Sequence, residues 1–193
     1  MQKTRNNYID SKSSLAVFKI SDLISRYLRF NINNNQDLII LCIGTDRSTG
    51  DSLGPLVGYK LAPHIKYFDK VFLYGTLDKP VHAKNLEDTI KKIHTLHLKP
   101  FILAIDASLG NLDKIGYINI REGPLRPGLG VNKSLPAVGN ISITGVVNVG
   151  GMLEYMVLQN TRLSLVMDMA DIIYKSIHKS LLTLYDYRYR RIF

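Results

Sequence analysis

The sequence predicts a three-layer α/β fold, a doubly wound and mostly parallel sheet with helices on both faces. Three apolar runs, at residues 38–43, 71–74 and 101–105, lack a polar face and so read as strands covered from both sides. Segments with helical spacing lie between them and supply the crossovers that parallel strands require. Each run gives way to a glycine or a polar residue. In such a sheet the C-terminal strand ends carry the ligand site, where the winding reverses.

In chain order, Ser13 or Ser14 is placed to cap a helix reaching Phe30, since Leu15, Phe18, Ile20, Leu23, Ile24, Tyr27 and Leu28 recur at near-helical spacing. Residues 31–35, four asparagines and an isoleucine, break that pattern. After the first strand and a polar loop, Gly54-Pro55 fits the start of a helix whose apolar residues lead to Pro63. A third helix is expected over residues 85–96, between the second and third strands. Residues 117–121 and 140–144 read as further strands, separated by a segment rich in Gly and Pro at 123–139 that is a candidate active-site loop. Residues 152–184 contain neither Gly nor Pro and are expected to be helical, in one or two pieces.

At 193 residues and 46% hydrophobic, the chain can bury one substantial core, and a single α/β domain over 1–193 is the expectation. Residues 1–12 are expected to be a flexible N-terminus and residues 185–193 a basic C-terminal tail. The longest apolar runs fall far short of the roughly 20 residues that cross a bilayer. No secretory leader is legible either, so no membrane partner and a cytoplasmic location are expected. The single cysteine, Cys42, lies inside an apolar run, where a buried and inert thiol is the ordinary outcome.

The formal charge of +9, from 25 basic and 16 acidic residues, admits an acidic partner. Its distribution argues against nucleic acid. Lys3, Arg5 and Lys12 against Asp10 give +2 at one end, and Arg188, Arg190 and Arg191 against Asp186 give +2 at the other. Binding through a basic surface would instead call for cations clustered on one face. The tail residues Tyr185 to Arg191 interleave aromatics and cations, which can stack bases, but a helix end fraying into solvent is the better explanation.

The segment richest in chemistry is Gly44-Thr45-Asp46-Arg47-Ser48-Thr49-Gly50-Asp51-Ser52-Leu53-Gly54-Pro55, joining the first strand to its helix. An acid beside a helix N-terminus is favoured by the macrodipole, so the plain structural reading of Asp51 is a cap. The third strand, however, also ends in an acid, Asp106. Side by side, two such carboxyls can divide their proton affinities, one staying protonated while the other accepts a proton from water. Serine chemistry at Ser48, Ser52 or Ser108 lacks a Gly-x-Ser-x-Gly elbow, and neither a P-loop nor a dinucleotide fingerprint is present, so no cofactor is expected. His94 and His97 have the spacing of a metal pair on a helix, but a crossover helix carries them away from the strand ends and they are expected at the surface. His82 lies nearer the proposed edge with no clear partner.

The loop 44–55, the strand end Ile105-Asp106-Ala107 and the segment Gly128-Leu129-Gly130-Val131-Asn132-Lys133 together resemble the YyaC family of spore proteases. The likeness covers about residues 38–173, and its most distinctive stretches are residues 141–151 and 159–167. That family is similar to the spore germination protease, an atypical aspartic endopeptidase, and more distantly to the hydrogenase maturation endopeptidases. The resemblance implies their phosphorylase/hydrolase-like fold and an aspartate pair, Asp51 and Asp106, at the catalytic positions. In the hydrogenase endopeptidases a Glu and an Asp at these positions bind nickel with a later His. No such His is placed in this chain, so no metal site is expected.

Thr45, Asp46, Ser108, Asn132 and Lys133 are the expected substrate-binding residues, Asn132-Lys133 by likeness to a glycine-rich loop of the germination protease. A solvated loop lysine is an equally good reading of Lys133. The expected function is a sporulation-associated peptide hydrolase, located in the sporulating cell or forespore. It would act on a peptide or small spore protein and can self-associate as a homo-oligomer. A non-catalytic sporulation protein that binds a peptide or protein at the same edge is the rival expectation, and nucleic-acid binding a lesser one.

Overall fold

The computed structural model describes residues 7–33, 35–127 and 135–189. The elements run β1 (Asn7–Asp10), α1 (Ala16–Asn31), β2 (Leu38–Cys42), α2 (Leu53–Ile65), β3 (Val71–Tyr74), α3 (Leu86–Leu96), β4 (Phe101–Gly110), β5 (Tyr117–Glu122), β6 (Ile141–Val149), α4 (Glu154–Gln159) and α5 (Leu163–Tyr189). One six-stranded sheet is ordered β1-β5-β6-β4-β2-β3. The pairs β2/β3, β2/β4 and β4/β6 are parallel, while β5 runs antiparallel to both β6 and β1. The three expected strands are thus neighbours, with β2 between the other two.

The apolar strands divide their side chains between two cores by the period of two. Leu38, Ile40 and Cys42 of β2 join Leu103 and Ile105 in a core closed by α1, α2 and α5. Ile39, Leu41 and Ile43 join Ile102 and Ala104 in a second core, against Leu86 and Ile93 of α3. The chain leaves β2 through α2 to β3 on one side, then returns through α3 to β4 on the other. The winding therefore reverses between the C-terminal ends of β2 and β4, and a crevice opens there.

Several boundaries depart from the expectations. Residues 7–10 form an edge strand rather than a free terminus, with Ile9 alone buried, too brief a pattern to read as a strand. At the other end α5 continues to Tyr189, its Tyr185 hydroxyl donating to the Asp69 carbonyl and its ring 5.0 Å from that of Phe68. The helix thus takes in residues 185–189 of the expected tail. Pro63 lies inside α2 instead of ending it. Pro63 and Tyr59 are both exposed, so the Tyr59 carbonyl that loses its i+4 donor can be met by water. Leu15 rather than a serine stands at the N-cap of α1, although Ser13 Oγ accepts from the Leu15 N–H at 3.3 Å. The helical stretch after residue 152 does come in two pieces, α4 and α5.

Candidate active site

The crevice between β2 and β4 is a cleft of about 820 Å³, and Asp51 and Asp106 both line it. Asp106 comes directly from β4, opposite Thr144 of β6, and is 8% exposed. Asp51 sits in a 3-10 turn, Gly50–Ser52, just ahead of α2. Its carboxylate does not cap the helix. Instead Oδ2 accepts the Thr45 backbone N–H at 2.8 Å, which folds the loop back across its base. Two glycines let this happen: a Cβ at Gly44 would stand 2.0 Å from the Asp51 carbonyl oxygen, and one at Gly54 would stand 2.1 Å from that of Ile43. Gly44 also has φ +137°, which disfavours any side chain.

The two acids hold protons unequally. Burial drives the Asp106 carboxyl well above the ordinary aspartate range, and the nearby charge of Asp51 adds to the rise, against a smaller lowering by the Ala107 N–H. Burial also raises Asp51. The Thr45 N–H and the charge of His82 oppose that rise, so Asp51 has partners that favour its ionised form.

Among the expected substrate-binding residues, Thr45 and Ser108 line the cleft. Asp46 is exposed and is not part of the lining, and its contact is with its neighbour, Thr45 Oγ1, at 3.4 Å. Asn132 and Lys133 lie outside the described residues. The two stems of the Gly- and Pro-rich loop are joined by Leu125 and Val138, which exchange backbone hydrogen bonds of 3.0 and 2.9 Å. Leu125, Arg126 and Leu135 form part of one cleft wall.

The histidines fall differently from their sequence placement. His82 borders the cleft, because Val81 continues the sheet beside Ile43 as a parallel bridge. Its Nδ1 is buried without a hydrogen-bond partner among the described residues. His94 is exposed as expected, but His97 is 6% exposed. It lies between Asp37 Oδ2 at 2.7 Å and the Tyr74 hydroxyl at 3.1 Å, where it ties α3 to the sheet. Reading it as a surface residue missed that it follows α3 as its C-cap and turns inward.

Sequence reasoning also missed the cations at the cleft, Arg47, Lys84, Arg121 and Arg126, and the wall contributed by Tyr155 and Leu158 of α4. Arg47 and Ser48 lie within the 44–55 loop itself, yet nothing in the local pattern says which way their side chains turn. Among the described residues, no group of three or more His, Cys, Asp or Glu side chains is placed to hold a metal ion.

The strand order and its winding reversal make this an α/β chain with a fold similar to that of a hydrogenase maturation protease. A solved structure of the [NiFe] hydrogenase maturation protease HycI from Thermococcus kodakarensis KOD1 matches with a TM-score of 0.55 and 18% identity, over 82% of this chain and 98% of that one. The chain belongs to the family described as "Protein of unknown function (DUF1256)", whose profile matches residues 8–176. It is 48% identical over 172 residues to the uncharacterized protein YyaC of Bacillus subtilis strain 168, across 89% of this chain and 82% of that protein. The likeness to the YyaC family is therefore borne out. No helix among the described residues is long and apolar enough to cross a membrane.

Proposed function

We propose that the chain is a sporulation-associated endopeptidase in which Asp51 and Asp106 direct water onto a peptide carbonyl. The observation that carries this reading is the pairing, on the floor of one open cleft, of two carboxyls with unequal environments. Asp106 keeps its proton as the acid, and Asp51 accepts one from water as the base. Attack by that water on the carbonyl carbon, with the Asp106 proton passing to the carbonyl oxygen, gives a tetrahedral diol. Return of the Asp51 proton to the amide nitrogen, and of a diol proton to Asp106, breaks the C–N bond and restores both acids.

Thr45 and Ser108 flank the pair and are proposed to position the substrate, with Asn132 and Lys133 assigned the same task on family likeness. By the same analogy, the substrate is a peptide or small spore protein in the cytoplasm of the sporulating cell or forespore. Digestion of a proteome-derived peptide library, read by mass spectrometry, tests the reading. Cleavage by the native chain that disappears in Asp51→Asn supports it. Intact peptides under every condition would favour a non-catalytic protein that binds peptide at this edge.

A further inference from the structure

β2 accompanies β4 only as far as Cys42 opposite Ile105, where the Ile43 N–H donates to the Ile105 carbonyl at 2.7 Å. β4 continues to Gly110, still paired on its other side with β6. From Ala107 onward, therefore, its β2-side edge has no strand partner among the described residues. That edge begins just past Asp106, and Ala107, Ser108 and Leu109 line the cleft. In a parallel sheet alternate residues turn their backbone groups to the same neighbour. Ile105 serves β2, so Ala107 turns the same way, with its N–H given to the Asp106 carboxyl and its C=O directed to the open edge. An exposed edge of this kind is a template for an added strand.

The walls carry a second, independent sign of an occupant. Ser48 is 6% exposed, and its Oγ has no hydrogen-bond partner among the described residues although it borders the cleft. A buried hydroxyl without a partner is costly and calls for one. Around the mouth, Arg47, Lys84 and Arg126 are exposed cations with no carboxylate partner among the described residues, whereas Arg121 is held by Ser142 Oγ and the Pro124 carbonyl. Glu154 is the acid of the lining outside the pair.

We propose that the cleft takes an extended, carboxylate-bearing peptide segment as an added strand on the free edge of β4 after Asp106. Main-chain pairing would bring a peptide bond to the acids, Ser48 would receive a backbone or side-chain group, and the three free cations would select acidic side chains. This names the substrate class of the peptidase reading and rests on it. It also excludes a folded loop or a basic segment as the occupant.

The test uses pools of capped octapeptides that alternate Glu with a random apolar residue. The comparison pools replace Glu by Lys, or carry backbone N-methyl groups at every second residue in one phase or the other. Binding to the Asp106→Asn chain is followed by fluorescence anisotropy, and cleavage by the native chain is followed by mass spectrometry. The expected results are a preference of about tenfold for Glu over Lys pools, loss of binding for one N-methyl phase with the other tolerated, and loss of the charge preference in Lys84→Glu/Arg126→Glu. Equal binding of both N-methyl phases, equal binding of Glu and Lys pools, or no binding at all would overturn the proposal. Phase-dependent acidic binding without cleavage would sink the hydrolytic reading and leave this one. Cleavage insensitive to N-methylation away from the cut bond would do the reverse.

Discussion

The Thr45 N–H donates to Asp51 Oδ2 at 2.8 Å, so the loop after β2 is fastened by the same carboxylate it delivers to the cleft. A single bond thus joins the local fold to the chemistry. It removes Asp51 from the capping role that its position before α2 would suggest, and it holds the carboxylate at the cleft that Asp106 also lines, near enough for its charge to act on Asp106.

Tight backbone approaches make that loop intolerant of side chains. Gly54→Ala places a Cβ against the Ile43 carbonyl, and relieving the clash requires α2 to move from the end of β2. The expected cost is about 1–3 kcal/mol in urea denaturation, typical of overpacking, with turnover falling because Asp51 moves too. An unchanged midpoint would mean that the helix yields freely and that the loop geometry is not what positions the acid.

Asp106 gives a pH signature with a definite sign. Its carboxyl is raised in the folded chain, so its contribution to stability is complete below the ordinary aspartate range, near pH 4, and is lost as pH rises through the folded value. Asp106→Asn removes that loss. Thermal midpoints of the variant should therefore exceed those of the native chain at pH 7, with the gap closing towards pH 4. A gap that is constant with pH, or that widens on acidification, would show that Asp106 is not held protonated.

The opposite sign is expected where α2 meets α5. Burial, with a smaller effect of His64 at a ring separation of 4.6 Å, holds His178 below the usual histidine range. Its stabilising contribution is present above about pH 6.5 and is lost as pH falls through the folded value. Melting between pH 7.5 and 5 should show this decline, and His178→Gln should flatten it. Equal slopes in the two proteins would assign the decline to other groups.

The sheet core was legible because β2 and residues 101–105 of β4 bury both faces and so are apolar without interruption, a signal that survives in the bare sequence. β1 was not, since an edge strand of four residues buries only Ile9. The paired acids were readable because each follows an uninterrupted apolar run, at 38–43 and 101–105, although β4 continues through Asp106 to Gly110 and Asp51 stands in the turn ahead of α2. His82 was underrated because its approach depends on the Ile43–Val81 bridge, a contact between residues far apart in sequence. His97 was misplaced for a related reason: its partners Asp37 and Tyr74 come from the start of β2 and the end of β3, which only the folded chain brings together. The cationic mouth likewise draws Arg47, Lys84 and Arg126 from three separate loops, so no local motif announces it.

Turnover of a cleaved peptide by Asp51→Asn and by Asp106→Asn, measured beside the thermal stability of each variant, tests the aspartate pair most directly. If the two acids share the proton transfers, each variant should lose roughly 10²–10⁴-fold in kcat/KM, with a thermal midpoint no lower than that of the native chain. Either variant turning over peptide within a few-fold of the native rate would mean that its carboxyl does no chemistry, and the dyad would be contradicted.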